Sequence, residues 1–238
     1  MAKHARLGPS SAHRWMECPF SIRLSEQVES KPAGFAAAAG NIMHTAFERR
    51  MLGQGDITQE EIAELGALDV GQSKARHIVD QGVEAAHKVL AQYGIEDYLC
   101  EQRVDPGQLI GRSDFWGTAD LVGANASNKT FLIGDLKTGR GRVEPQFNEQ
   151  MLSYALGALA LIDFVPEKVV LAIIQPPLLK SDAAVWVTNM DTLNQFKEYA
   201  STQAALTDDP DCKPSPSAES CQWCPAKSIC PAHKTGDL

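Results

Sequence analysis

The sequence predicts an α/β fold, a sheet with helices packed against its faces, and three observations carry that expectation. Apolar residues recur near a helical period between residues 36 and 93. Short apolar or alternating runs, broken by Gly and polar turns, follow from 97 to 136. The chain then reads helix, strand, strand, helix as far as residue 206.

In chain order, Ser10 or Ser11 is placed to cap a short helix that carries Trp15 one turn before Cys18, and Pro19 follows at once. Residues 36–52 (AAAAGNIMHTAFERRML) have high intrinsic helix propensity. Two or three helices are expected over 58–93, where Ile62, Leu65, Val83, Ala86, Val89 and Leu90 mark the apolar stripe. Strands are expected at 97–104, 109–113, 116–123 and 130–136, with ANASNK as a turn. A helix over 145–161, strands at 169–175 and 183–189, and a helix over 191–206 complete the core. The stretch TDDPDCKPSPSAES reads as a linker.

Composition bounds the function. At 238 residues the chain suits one domain, since single domains commonly run to ~250 residues. Hydrophobic residues are 44% and charged residues 22%, which fits a folded globular protein. Thirty acids against 22 bases give a net charge of −8, so a generic electrostatic DNA-coating protein is disfavoured, while a local site is not. No run approaches the ~20 apolar residues of a membrane span, and the N-terminus lacks the apolar stretch of a secretory signal. A cytoplasmic protein is expected, in which sequons at Asn125 and Asn128 carry no meaning.

Six cysteines in a reducing compartment point to a metal site rather than to disulfides. Cys221, Cys224 and Cys230 form C-x2-C-x5-C, with Pro225 and Pro231 stiffening the turns. Three local thiolates leave a four-coordinate site one ligand short, and Cys18, Cys212 and His233 are the candidates for the fourth. Four thiolates suit zinc and iron–sulfur equally.

The segment GTADLVGANASNKTFLIGDLKTGRG (117–141) holds the sharpest chemistry. Asp135 and Lys137, two apart on a strand, point to the same face, and pairing through the ANASNK turn would bring Asp120 to Asp135. Two carboxylates with open water positions suit Mg²⁺ or Mn²⁺, and a neighbouring lysine can attend the attacking water. Gly134, Thr138 and Gly139 are expected to keep the strand end open. Gly40, His44 and Glu48 share one helix face, where Gly40 permits close approach of another backbone beside a ligand His44. Gln150 and Tyr154 share a face of the next helix. Arg49, Arg50, Arg140 and Arg142 are available to phosphates, and Trp116 to a base.

The ordered set Gly40-x3-His44, Gly117-Thr118-Ala119-Asp120, Gly134-Asp135-Leu136-Lys137-Thr138-Gly139, Gln150-x3-Tyr154 and C-x2-C-x5-C resembles the RecB-like branch of the PD-(D/E)XK nucleases. One N-terminal cysteine paired with three C-terminal ones resembles the iron–sulfur members of that branch, among them the AddB nuclease domain, the CRISPR adaptation nucleases and small phage-encoded stand-alone members. The resemblance spans residues 10–233. Its acid–x–Lys begins with Asp where many of these nucleases carry Glu.

The resemblance implies a restriction-endonuclease-like core with a central mixed sheet flanked by helices, and a cysteine-ligated cluster that staples the chain ends. It implies Asp120, Asp135 and Lys137 as catalytic residues. The implied ligands of Mg²⁺ or Mn²⁺ are His44, Asp120, Asp135 and the Leu136 carbonyl oxygen. Cys18, Cys221, Cys224 and Cys230 would hold a structural [4Fe–4S] cluster, with zinc as the alternative. Gln150 and Tyr154, joined by Arg140 and Arg142, would bind DNA. Residues 1–35 and 207–238 would form the cluster segments, 36–94 the helical segment with His44, and 95–206 the α/β core of one nuclease domain. The expected activity is metal-dependent hydrolysis of DNA from its ends; the rival is an inactive nucleic-acid-binding scaffold. No G-x4-G-K-[ST] is present, so unwinding would need a helicase partner. A recombination or single-strand-annealing partner and a homo-oligomer are compatible with the same reading, and no membrane is expected.

Overall fold

A computed structural model describes residues 5–29 and 34–234. Residues 1–4, 30–33 and 235–238 of the end segments expected above lie outside the described residues. The elements run α1 (Ala12–Glu17), α2 (Phe20–Ser25), α3 (Phe35–Met51), α4 (Gln59–Ala67), α5 (Gln72–Gln92), β1 (Tyr98–Val104), β2 (Gly117–Asn125) and β3 (Thr130–Leu136). They continue α6 (Glu149–Ala158), β4 (Lys168–Ile174), α7 (Pro176–Leu179), β5 (Ala183–Thr188), α8 (Met190–Leu206), α9 (Ala218–Gln222) and α10 (Pro231–Lys234).

The five strands form one mixed sheet in sequence order: β1–β2, β2–β3 and β4–β5 pair antiparallel, and β3–β4 pair parallel across the α6 crossover. Alternate side chains of the central strands feed two cores. Phe131, Ile133, Val169, Leu171 and Ile173 pack with residues of α1, α6 and α8, including Trp15, Met151 and Phe196. Leu132, Leu136, Val170, Ala172 and Ile174 pack with Met43 and Phe47 of α3 and Ile78 and Val79 of α5. Helices thus cover both faces of an α/β sheet, and every residue of β3 is buried. Among the described residues no helix is long and apolar enough to cross a membrane.

Local chemistry sets the boundaries. Thr58 and Glu61 form a reciprocal capping box that starts α4, and Asn189 caps α8 by accepting from the amides of Asp191 and Thr192. The helix expected from residue 145 begins only at Glu149, because Asn148 accepts the Met151 amide at 3.1 Å as its cap. Ser11 does occupy the cap position of α1, but its hydroxyl donates to the Gly8 carbonyl at 3.1 Å and caps no amide.

Residues 109–113 form no strand. Pro106–Ile110 is a 3-10 turn ending at Gly111 in the left-handed region (φ 70°). Pro106 offers no N–H to a ladder, and Gly107 presses so close that a Cβ there would lie 2.5 Å from the Arg112 carbonyl oxygen. The N-terminal segment also proves to be core. Trp15 is fully buried, edge-on to Phe115 at 5.3 Å and 84°, a contact of ~0.5–1.5 kcal/mol beyond the area buried.

Candidate active site

Strand register assembles a row of carboxylates. β1 and β2 pair Cys100 with Leu121 and Gln102 with Ala119, so Glu101 stands opposite Asp120. β2 and β3 pair Leu121 with Gly134, so Asp120 stands opposite Asp135. Three acids from three adjacent strands therefore lie side by side. Glu101 takes a left-handed backbone (φ 46°), a conformation that costs a non-glycine residue about 1–3 kcal/mol. The hairpin bears that cost in the row itself.

α3 brings His44 over the row. Its Nδ1 lies 3.1 Å from Asp120 Oδ1 and 3.9 Å from Glu101 Oε1. One potential ligand atom from each of His44, Glu101 and Asp120 falls within 4.8 Å of the others. The Gly40 expected to admit another backbone admits a side chain instead, since a Cβ there would meet Thr138 Oγ1 at 3.3 Å. Gly134 does not open the strand end: its place for a Cβ is filled by Leu121 at 3.1 Å. Gly139 is open, with nothing within 4 Å of such a Cβ.

A hydrogen-bonded network fixes the other side. The Leu136 N–H donates to Asp120 Oδ2 at 2.6 Å, which anchors that carboxylate to β3. Lys137 Nζ donates to Gln150 Oε1 at 2.9 Å, while Gln150 Nε2 donates to Asp135 Oδ1 at 3.1 Å and to the Tyr154 hydroxyl at 3.0 Å. Asp135 Oδ2 forms an ion pair with Lys137 Nζ at 2.8 Å. It is the one buried side-chain oxygen or nitrogen among the described residues without a hydrogen-bond partner. Gly117 lets this network close against the N-terminal segment: a Cβ there would stand 2.8 Å from Pro9 Cγ and 3.0 Å from Tyr154 Cε1.

The electrostatics are those of a site short of positive charge. Burial raises the pKa of Asp135, and Lys137 only partly opposes that shift while Asp120 adds to it. Burial, then the Asp120 charge, pushes Glu101 up to about 7. Burial works against charged His44, but its hydrogen bond to Asp120 and the surrounding acids outweigh it and raise its pKa. Lys137 is likewise raised, with Asp135 overcoming the burial that opposes it. Burial and the Asp135 charge raise Tyr154.

The structure thus brings His44, Asp120, Asp135, Lys137, Gln150 and Tyr154 together and adds Glu101; of the Leu136 backbone it is the N–H, rather than the carbonyl expected as a ligand, that meets Asp120. It does not bring in Arg49, whose fork holds Glu61 at 2.6 and 2.9 Å, or Arg50, which pairs with Asp56 and Asp80. Their free role toward phosphate is corrected: both guanidiniums are engaged in holding α3 to its neighbours. Arg142 pairs with Glu144 on an exposed loop, and Arg140 lines a separate groove. Trp116 lies beneath the Arg103 guanidinium, 4.1 Å from the ring centre.

A second locus joins the chain ends. Cys18, Cys221, Cys224, Cys230 and His233 line one pocket, and all six cysteines are free thiols. Cys212 does not line it. Burial raises the Cys224 thiol pKa, the nearby Cys221 and Cys18 sulfurs add to this, and Arg14 opposes it. The Ser215 amide donates to Cys18 Sγ at 3.5 Å and its hydroxyl to the Glu17 carbonyl at 2.6 Å. Arg23 donates to the Asp209 carbonyl at 2.6 Å, and Arg6 binds Asp208 at 2.8 Å. Polar contacts therefore already tie the two ends together.

Compared with known proteins, the chain matches over residues 4–238 the model of the family described as "Protein of unknown function (DUF2800)". Among solved structures it aligns with one titled "Crystal structure of SSO0001" at 14% identity, covering 90% of this chain and 95% of that one with a TM-score of 0.34. By the family match, the chain belongs to DUF2800.

Proposed function

We propose that this protein is a divalent-metal-dependent deoxyribonuclease that hydrolyses phosphodiester bonds from DNA ends, on a restriction-endonuclease-like core. The observation that carries the reading is the convergence of Glu101, Asp120 and Asp135 on three neighbouring strands with His44 and Lys137. The ordered motifs shared with RecB-like PD-(D/E)XK nucleases support it. The residues fit Mg²⁺ or Mn²⁺: the donors are carboxylate oxygens and one imidazole, three of them within 4.8 Å of one another. When bound, such an ion supplies Lewis acidity toward a phosphoryl oxygen and toward water.

The chain's own groups do the positioning. His44, Glu101, Asp120 and Asp135 would hold the ion, and the Leu136 amide keeps Asp120 from turning away. Lys137 keeps its ammonium beside Asp135 through Gln150, where it can orient the attacking water and meet charge developing on the phosphate. Tyr154 holds Gln150 in place. Water attacks phosphorus and gives up a proton to solvent, the bond to the leaving oxygen breaks, and that oxygen takes a proton from solvent to leave as the alcohol.

For the cysteine pocket we propose a structural [4Fe–4S] cluster on Cys18, Cys221, Cys224 and Cys230. Four free thiols around one pocket support that reading, and zinc suits the same donors. A brown protein absorbing near 400 nm after anaerobic purification is expected; a colourless one with stoichiometric zinc would replace the cluster by zinc.

The activity is tested by digesting linear and circular DNA, labelled separately at the 5′ and 3′ ends, with Mn²⁺ or Mg²⁺, beside Lys137→Ala. Loss of linear DNA alone, abolished by the substitution, is the expected result. Cutting of circles would make the protein an endonuclease. Equal inactivity of both proteins, each with a filled cysteine pocket, would leave a DNA-binding scaffold.

A further inference from the structure

A groove lies between α5, the loop after β3 and α7, and its wall is basic in a chain of net charge −8. Lys74 and His77 of α5, Arg140 of the loop after β3, and Lys180 just past α7 line it, and no Asp or Glu does. Most arginines of this protein sit in ion pairs, yet none of Lys74, Arg140 and Lys180 is within 4.0 Å of a carboxylate oxygen among the described residues. All three are exposed. Three exposed cations therefore line one groove with no carboxylate partner, a wall whose charge suits an anion.

The groove is also built in advance. Gln175, 1% exposed, donates to the Gly139 and Gly141 carbonyls at 3.0 and 2.7 Å and accepts the Val143 amide at 3.3 Å, which pins the Arg140 loop from below. Lys180 is held at φ 56°, ψ −128°, a conformation that suits glycine, with its N–H bonded to the Pro176 carbonyl at 3.0 Å. Two residues separate Arg140 from Lys137, and Thr138 both lines the groove and touches α3 one turn before His44. One short stretch of chain thus carries Lys137 of the row and Arg140 of the groove wall.

We propose that this groove seats the phosphodiester backbone of a DNA strand as it passes the Asp120–Asp135–Lys137 site, a proposal that rests on the nuclease reading for the identity of the polyanion. Lys74, Arg140 and Lys180 make the phosphate contacts and read no sequence. The strand enters or leaves between α5 and the loop after β3.

The test is anisotropy of a labelled oligonucleotide titrated with the full-length protein over a range of salt. Binding is measured in a Lys137→Ala background so that no cleavage intervenes, and cleavage is measured separately on an intact Lys137. The triple substitution Lys74→Ala, Arg140→Ala, Lys180→Gly is expected to weaken binding by about tenfold or more and to flatten the salt slope by about 2. Lys180→Gly alone flattens it by about 0.7–0.9 while Tm holds or rises, because glycine relieves the φ 56° backbone. A charge-matched control, Lys168→Ala, Lys197→Ala, Lys213→Ala, should bind with the original slope. Equal slopes for the parent and the groove triple, equal weakening by the control, or no binding by the parent would overturn the proposal. Cleavage with groove-independent binding leaves the nuclease reading standing; groove-dependent binding without cleavage removes that reading and keeps the groove.

Discussion

The carboxylate row and the cysteine pocket both gather ligand-type residues from distant parts of the chain, but they are held in opposite ways. The row sits on three hydrogen-bonded strands, and each of its acids is placed by register before any ligand arrives. Its network leaves little freedom: Asp120 is tied to the Leu136 amide, and Lys137 and Asp135 are joined through Gln150. The cysteines lie instead at the end of α1, in the five-residue α9 and in the turns before α10, where a capping box and a few polar contacts support short elements. A site on a sheet can tolerate an empty state that a site on short turns cannot. Under the proposed function, the row would be the place for chemistry that binds and releases, and the pocket the place for a structural metal.

Substitutions break or sharpen that contrast in graded steps. Lys137→Ala should lower cleavage by about 10²–10³-fold in kcat and, because it leaves the buried Asp135 carboxylate without its cation, also lower Tm when no metal is present. Single-turnover kinetics and a melting curve check both halves. Cys221→Ser should act on stability and leave the chemistry of the row intact. Metal retained at the cysteine pocket should fall by more than about 100-fold, beyond the effect of losing a supporting second partner, and Tm should fall with it. Metal analysis beside calorimetry reads that outcome, and an unchanged Tm would make the polar contacts between Arg6, Arg23 and Ser215 and their partners the real staple.

Gly117→Ala tests how the network of the row closes against the N-terminal segment. The added Cβ would strike Pro9 of the N-terminal segment and the Tyr154 ring, at a cost of about 1–3 kcal/mol measured by urea unfolding. The smallest effect belongs to Glu61, far from either site. Its pKa is lowered to about 2 by Arg49 first and, against some burial, by the Thr58 amide. Because the folded pKa lies below the ordinary 4.5, Glu61 contributes stability above about pH 4.5 that is lost as pH falls through about 2. Glu61→Gln should reduce stability at neutral pH and leave a flatter acid limb, which melting curves between pH 2 and pH 7 would show.

Much of the architecture is legible in the chain because period and punctuation are local. All five strands and the helices over 35–51 and 190–206 fall where alternation, propensity and caps place them. The segment 109–113 misleads because its apolar content resembles a strand while Pro106 and Gly107 commit the backbone to a tight turn. Asp135 and Lys137 are legible for the same local reason, a two-residue spacing at a strand end. Glu101 is not. It lies nineteen positions before Asp120 in a strand without a motif, and only the β1–β2 register sets the two opposite each other. Pairing β1 with β2 as a hairpin would expose it, but the intervening turn of irregular length hides the register. Arg49 and Arg50 mislead because their partners Glu61, Asp56 and Asp80 arrive from α4, α5 and the loop between α3 and α4.

The most direct measurement is a Mn²⁺ titration followed by loss of the free-ion EPR signal, with the cysteine pocket filled and cleavage not required. If the row is a metal site, the parent protein takes up Mn²⁺ and Asp120→Asn weakens that binding by about 100-fold or more at an unchanged fold. Equal binding by the parent and Asp120→Asn, or none by either, would contradict the account.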